Sequence, residues 1–362
     1  MSKATRLNGI DLCRGLAAFA VILVHSGDET WGVPISEAAI RFRHLFYFAV
    51  PFFLAASFYF STKKLPIVID SNFWQKKFKR IVLPYLVWSL FYVVMKTVIY
   101  SLTNKTAEVQ QLLKDPISLI FFGAASYHLY FIPLLVAGLL LFYLANYLTK
   151  QRDLNLVLSG FALFSLASYQ LLLNCQNDFN IDSGTAFPEL LNLISQSSLF
   201  YQPSRIILVY AAWAVRCLPY LAIALLVNHV LTQNISRWLY SRRTIVCLLL
   251  VCVLANAFGE QYLPQAISEI IIAYSLLLFG ISVSHYLPNS GIITQIGACS
   301  FGIYLIHPFI KSIVDIGLVK LVPQVTQQVS IFSILTYSVI SFLASWMVVA
   351  LMQKNKLIGQ YI

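Results

Sequence analysis

Apolar residues fill this chain in long runs, separated by short polar clusters. A helix needs about 20 mostly apolar residues to cross a ~30 Å hydrocarbon core. Runs of about that length occur at 8–27, 42–62, 81–101, 128–148, 154–174, 208–231, 244–259, 266–286, 296–318 and 330–352. The short alternating segments of a membrane barrel are absent. Backbone groups in lipid must then be satisfied within helices. The pattern predicts an all-α, polytopic integral membrane protein with ten transmembrane helices. Residues 1–362 are expected to form one transmembrane domain, with no separate soluble domain. The longest stretches between spans are 102–127 and 175–207; the first holds an apolar piece, Pro116 to Ala125, with the length of a re-entrant or interfacial helix.

Composition sharpens this picture. The chain is 59% hydrophobic and 11% charged, which no ordinary soluble domain matches. A net charge of +11 would suit a nucleic-acid binder, but the basic residues sit between apolar runs and form no soluble basic domain. Nucleic acid is therefore not expected as a partner; membrane lipids are. Fifteen basic residues fall on one side: Lys3, Arg6, Lys63, Lys64, Lys76, Lys77, Lys79, Arg80, Lys150, Arg152, Arg237, Arg242, Arg243, Lys354 and Lys356. Six fall on the other: Arg41, Arg43, Lys105, Lys114, Arg205 and Lys320. The positive-inside rule places the richer side, with both termini, in the cytoplasm. The first run follows Lys3 and Arg6 as a secretory signal would, but Asp11 and Arg14 interrupt it, so a retained first helix is expected. The six cysteines show no paired spacing and suggest neither a disulfide framework nor a metal site.

Ionisable residues inside the runs carry the chemical signal, because each is costly in lipid. Arg14 and His25 lie in the first run, eleven residues apart. At 100° per residue that is three turns plus about 20°, so both project from one face, roughly 16 Å apart along the axis. Asp11, three residues before Arg14, is placed to pair with it. By depth, His25, His128 and His307 fall in the outer half of the membrane, with Arg216, Glu269, Lys311 and Asp315 at similar levels. Lys311 and Asp315 have the spacing of a helical ion pair. As a set these groups point to a hydrated functional cavity. On the inner side, Lys76, Lys77, Lys79 and Arg80 precede the third run. They read as a lipid-facing anchor or as a site for a polyanion.

Several segments together resemble one family. Ile10-Asp11-Leu-Cys-Arg14-Gly15, with His25 after ten intervening residues, matches an R-x10-H pattern. The other matching segments are Val50-Pro-Phe-Phe-Leu-Ala-Ala-Ser57, Lys77-Phe-Lys79-Arg80-Ile-Val-Leu-Pro84-Tyr85, Tyr127-His128-Leu-Tyr130-Phe-Ile-Pro133 and Ser300-Phe-Gly302-Ile-Tyr304-Leu-Ile-His307-Pro308. In this order they resemble the acyltransferase-3 family of integral-membrane O-acyltransferases, which modify bacterial surface glycans. The chain departs from the family pattern at Tyr130, where Trp is usual, and at Lys77, where many members have the first Arg of R-x-x-R.

The resemblance implies transfer of an acyl group, usually acetyl, from cytoplasmic acyl-CoA to a sugar hydroxyl of a surface polysaccharide or lipid-linked glycan. It implies a bacterial inner membrane. The donor's phosphates would sit at Lys76, Lys77, Lys79 and Arg80, with its arm passing Arg14. A neutral hydroxyl is a poor nucleophile, and a histidine of ordinary pKa ~6.5 suits the role of base. His25 is the expected base, or else it takes the acyl group itself; both roles stay open. His128, Tyr127 and Tyr130 are candidate donors to the oxyanion and contacts for substrate. His307 is expected to orient substrate or support His25, Asp11 to fix Arg14, and Arg216 and Glu269 to contact substrate. A transporter or flippase for a lipid-linked sugar is the alternative, although no inverted repeat is visible. A non-catalytic assembly protein is a third reading.

Overall fold

In the computed structural model, which describes residues 6–26, 35–66, 68–151, 154–232, 236–288, 291–321 and 329–362, each predicted apolar run is a helix. We label them α1 (Asn8–Val24), α2 (Glu37–Thr62), α3 (Ser71–Leu102), α4 (Phe131–Leu148), α5 (Leu154–Asn174), α6 (Tyr201–Thr232), α7 (Arg242–Tyr262), α8 (Gln265–Val283), α9 (Gly291–Leu321) and α10 (Ile331–Met352). Among the described residues, nine helices, α2 to α10, are long and apolar enough to cross a membrane. The predicted tenth span is α1, which has 17 residues and a length of about 26 Å. Where the sequence places its end at 27, the helix stops at Val24. Lys3 and Arg152, used above for orientation, lie outside the described residues. No strand occurs among the described residues.

The helix starts have local causes. Ser241 accepts from the Thr244 amide at the start of α7, and Ser330 and Ser333 cap α10 reciprocally. Asp70 accepts from the Phe73 amide at 2.8 Å and starts α3 about ten residues before the predicted span. The basic cluster is therefore part of the helix, not a loop before it. Pro84 lacks the N–H that would bond the Arg80 carbonyl, and the turn from Phe78 to Val82 widens to π geometry just before it.

The described residues form two compact units, residues 1–57 with 229–360 and 362, and residues 58–228 with 361. In the first, α1 is the central helix. It packs along α8, α9 and α10 and is buried nearly all round. Glycines permit this closeness. A β-carbon on Gly9 would stand 2.1 Å from the Gly280 carbonyl oxygen, and one on Gly297 would stand 2.4 Å from the Asp11 β-carbon. In the second unit, the apolar piece is a short helical segment, residues 116–122, whose last five residues, Ser118–Phe122, form a π turn. It ends at Gly123, whose φ of 78° brings the chain against the Tyr130 backbone.

Candidate functional site

The first unit brings together His25, His307, Lys311 and Tyr337. His25 is the C-cap of α1, half-buried, with its amide bonded to the Leu23 carbonyl. Its ring stacks on that of fully buried His307, with centroids 6.3 Å apart and planes 25° apart. The position of His307 has a covalent origin. Pro308, inside α9, has no N–H, so the carbonyl of Tyr304 four residues back loses its helical donor. His307 Nδ1 takes that place at 2.8 Å. A carbonyl only accepts, so Nδ1 carries the hydrogen and Nε2 is the basic nitrogen of the neutral ring.

Lys311 lies one turn past His307. Its ammonium donates to the backbone carbonyl of His25. Asp315, 4% exposed, is buried one turn further along α9. The Tyr337 hydroxyl, from α10, donates to the Lys311 carbonyl at 3.0 Å, and Ser26 Oγ and Ser338 Oγ are 2.9 Å apart. Two helices, α9 and α10, therefore converge on the end of α1. At its other end, Asp11 pairs with Arg6 (Nε to Oδ2, 2.5 Å), where the sequence suggests Arg14. Arg6 reaches back from just before the helix and also bonds the Thr294 carbonyl at 2.7 Å. Arg14 is half-buried on α1. Glu269 lies near the start of α8 and accepts from Gln265 Nε2 at 3.1 Å.

The second unit holds the remaining predicted residues. His128 is buried just before α4, its Nδ1 3.1 Å from Ser126 Oγ. It meets the rings of Tyr92 (5.5 Å, 84°) and Tyr127 (5.6 Å, 66°) edge to face. Tyr130 is the N-cap of α4, and Arg216 is half-buried on α6. Lys76, Lys79 and Arg80 are exposed on α3 around the π turn, while Lys77 is half-buried with its ammonium 5.6 Å from the Phe73 ring centroid. π turns are frequent at functional sites.

The sequence reading missed Arg205. It is 6% exposed and donates to the Gly184 carbonyl, Asp115 Oδ2 and Ser118 Oγ, each at 2.7 Å, and to Gln202 Oε1 at 3.3 Å. Its guanidinium also lies 5.1 Å from the Phe122 ring centroid. Burial raises the Asp115 carboxyl pKa, but the bonds from Arg205 and Ser118 outweigh that, and the net shift is downward. This knot joins the two longest inter-span stretches. Its partners are up to 90 residues apart, so no local pattern reveals it. For Lys311 and His307, the His-Pro step is the one local signal.

Among the described residues, no cluster of His, Cys, Asp and Glu is arranged to hold a metal ion. No curated protein and no solved structure matches the chain significantly. A family model described as an acyltransferase domain matches residues 7–350, which covers both units and each of the five motifs. The chain belongs to the acyltransferase-3 family and is a multi-pass membrane acyltransferase.

Proposed function

We propose that this protein moves an acyl group, acetyl in the simplest case, from cytoplasmic acyl-CoA to a sugar hydroxyl at the outer face of a bacterial inner membrane. The acceptor is a surface polysaccharide or lipid-linked glycan. The observation that carries this reading is the stacked pair of His25 and His307 at the end of α1, inside a chain of this family. His25 takes the hydroxyl proton as the sugar oxygen attacks the thioester carbonyl. The tetrahedral intermediate collapses, the C–S bond breaks, and the CoA thiolate leaves and regains the proton. Arg14, on the same helix, contacts the donor's arm, and Asp11 supports this end of the helix through its pair with Arg6. His307 keeps one nitrogen on the Tyr304 carbonyl and so offers a fixed neighbour to His25.

The exposed Lys76, Lys79 and Arg80 suit the donor's phosphates, Arg80 through its fork and the lysines as point charges. Lys77, half-buried over Phe73, contributes its charge from beneath. His128 with Tyr127 and Tyr130 supplies hydrogen-bond donors toward substrate, and Arg216 and Glu269 are the remaining candidates for substrate contact.

The test uses purified protein in vesicles with acetyl-CoA, and mass spectrometry of the cell's surface glycan with and without the gene. His25→Ala is expected to fold, to bind the donor and to leave the glycan unacetylated. A folded His25→Ala that acetylates at the wild-type rate removes His25 from the reaction. A protein that neither binds nor hydrolyses acyl-CoA, yet moves lipid-linked sugar, is a flippase.

A further inference from the structure

A lysine inside an apolar helix needs a reason, and the usual one for Lys311 would be Asp315 one turn away. The Lys311 side chain has a partner at the end of α1. It is 8% exposed, and its ammonium reaches across from α9 to the His25 carbonyl. That carbonyl belongs to the C-cap of α1, where the last carbonyls have no helical donor. A cation there is favoured twice, as a donor and as a charge at the negative end of the helix dipole. The lysine is itself held. Tyr337, fully buried on α10, donates to the Lys311 carbonyl, and His307 on the same helix is fixed through Tyr304.

We infer that Lys311 is a positioning residue: by holding the His25 backbone carbonyl it fixes the imidazole of His25 over that of His307. This rests on the reading of His25 as the group that meets substrate. In this reading Lys311 acts through His25. Residue 25 is where the helix ends and backbone hydrogen bonding no longer dictates its conformation, so an outside anchor is needed there. Lys311 and His307 lie one turn apart on α9, so the anchor and the stacking partner belong to the same element. The arrangement sets the two rings relative to each other.

The experiment compares Lys311→Met, Lys311→Arg, Lys311→Gln and Tyr337→Phe in the full chain, purified in vesicles. Steady-state acetyl transfer and thermal unfolding are measured for each. Loss of the anchor misplaces the base by a fraction of its reach. Lys311→Met is therefore expected to lower kcat by about 10- to 100-fold while the donor KM stays within about twofold. Lys311→Arg and Lys311→Gln both retain an N–H for the carbonyl and are expected to recover most of kcat. Tyr337→Phe loosens the anchor from the other side and is expected to lower kcat several-fold. A folded Lys311→Met with wild-type kcat overturns the inference, as does a series in which kcat follows unfolding temperature alone with no recovery in Arg or Gln. If the Met variant does not fold, the Arg and Gln variants decide: kcat as low as that of His25→Ala in both overturns it. His25→Ala at the wild-type rate overturns the underlying reading, which the Lys311 series by itself does not address.

Discussion

Gly297→Ala tests whether the α1–α9 contact sets the geometry of the site. A β-carbon at Gly297 would stand 2.4 Å from the Asp11 β-carbon and 2.6 Å from its α-carbon. Carbon atoms in contact prefer at least ~3.5 Å, so the helices must part by about 1 Å. The obstruction includes backbone, which has no rotamer to change. Overpacking of this kind costs about 1–3 kcal/mol. The functional cost is expected to be larger than the stability cost suggests. α1 carries Arg14 and ends at His25, while α9 carries His307 and Lys311, so a shift between the two helices acts directly on the stacked rings. A 1 Å misplacement lowers a rate by up to ~10²-fold. Gly317→Ala is the control on the same helix. Nothing lies within 4 Å of its β-position, and alanine there favours the helix by about 0.5–1 kcal/mol. The assays are thermal unfolding in detergent and initial rates of acetyl transfer. We expect Gly297→Ala to lose stability and at least tenfold in kcat, with Gly317→Ala unchanged or slightly stabilised. Wild-type rate and stability in Gly297→Ala, or equal damage from Gly317→Ala, refutes the reasoning.

Arg205→Ala leaves Asp115 without its guanidinium and the Gly184 carbonyl without its donor, at a cost of about 1–3 kcal/mol; limited proteolysis is expected to cut within residues 175–200 of the variant under conditions where the wild type is intact. The Asp115 carboxyl titrates below its ordinary range in the folded chain, so its contribution to stability is full above a pH of about 4 and is lost as the pH falls through the lower folded value. Proteolysis at graded acid pH is expected to show the wild-type loop opening below that point, and Asp115→Asn to abolish the pH dependence. Pro308→Ala returns an N–H opposite the Tyr304 carbonyl, which then competes with His307 Nδ1; unfolding temperature is expected to rise slightly and kcat to fall several-fold, and an unchanged kcat would show that this bond does not matter to the reaction.

The spans were legible because lipid imposes one simple rule, a run of apolar residues of fixed length, and each run became a helix. Boundaries were less legible. α3 starts at Ser71 because Asp70 caps it, and a cap outweighs the hydropathy drop at Lys76 to Arg80. Arg14 and His25 were visible because both lie on one helix with a fixed period. Lys311 was visible as a misplaced charge, but its partner was not. Local spacing points to Asp315 at four residues, but one observed acceptor is a backbone carbonyl 286 residues away, and a backbone carbonyl has no sequence signature. The same holds for Asp11, drawn to Arg6 outside the helical repeat, and for Arg205, whose partners lie on separate loops. Side-chain identity thus revealed which groups are unusual; the end of a helix decided what they bind. α1 stops at Val24, and the His25 carbonyl at its end is bonded by Lys311. The end of the first helix is where the histidine leaves the regular backbone and is held from α9.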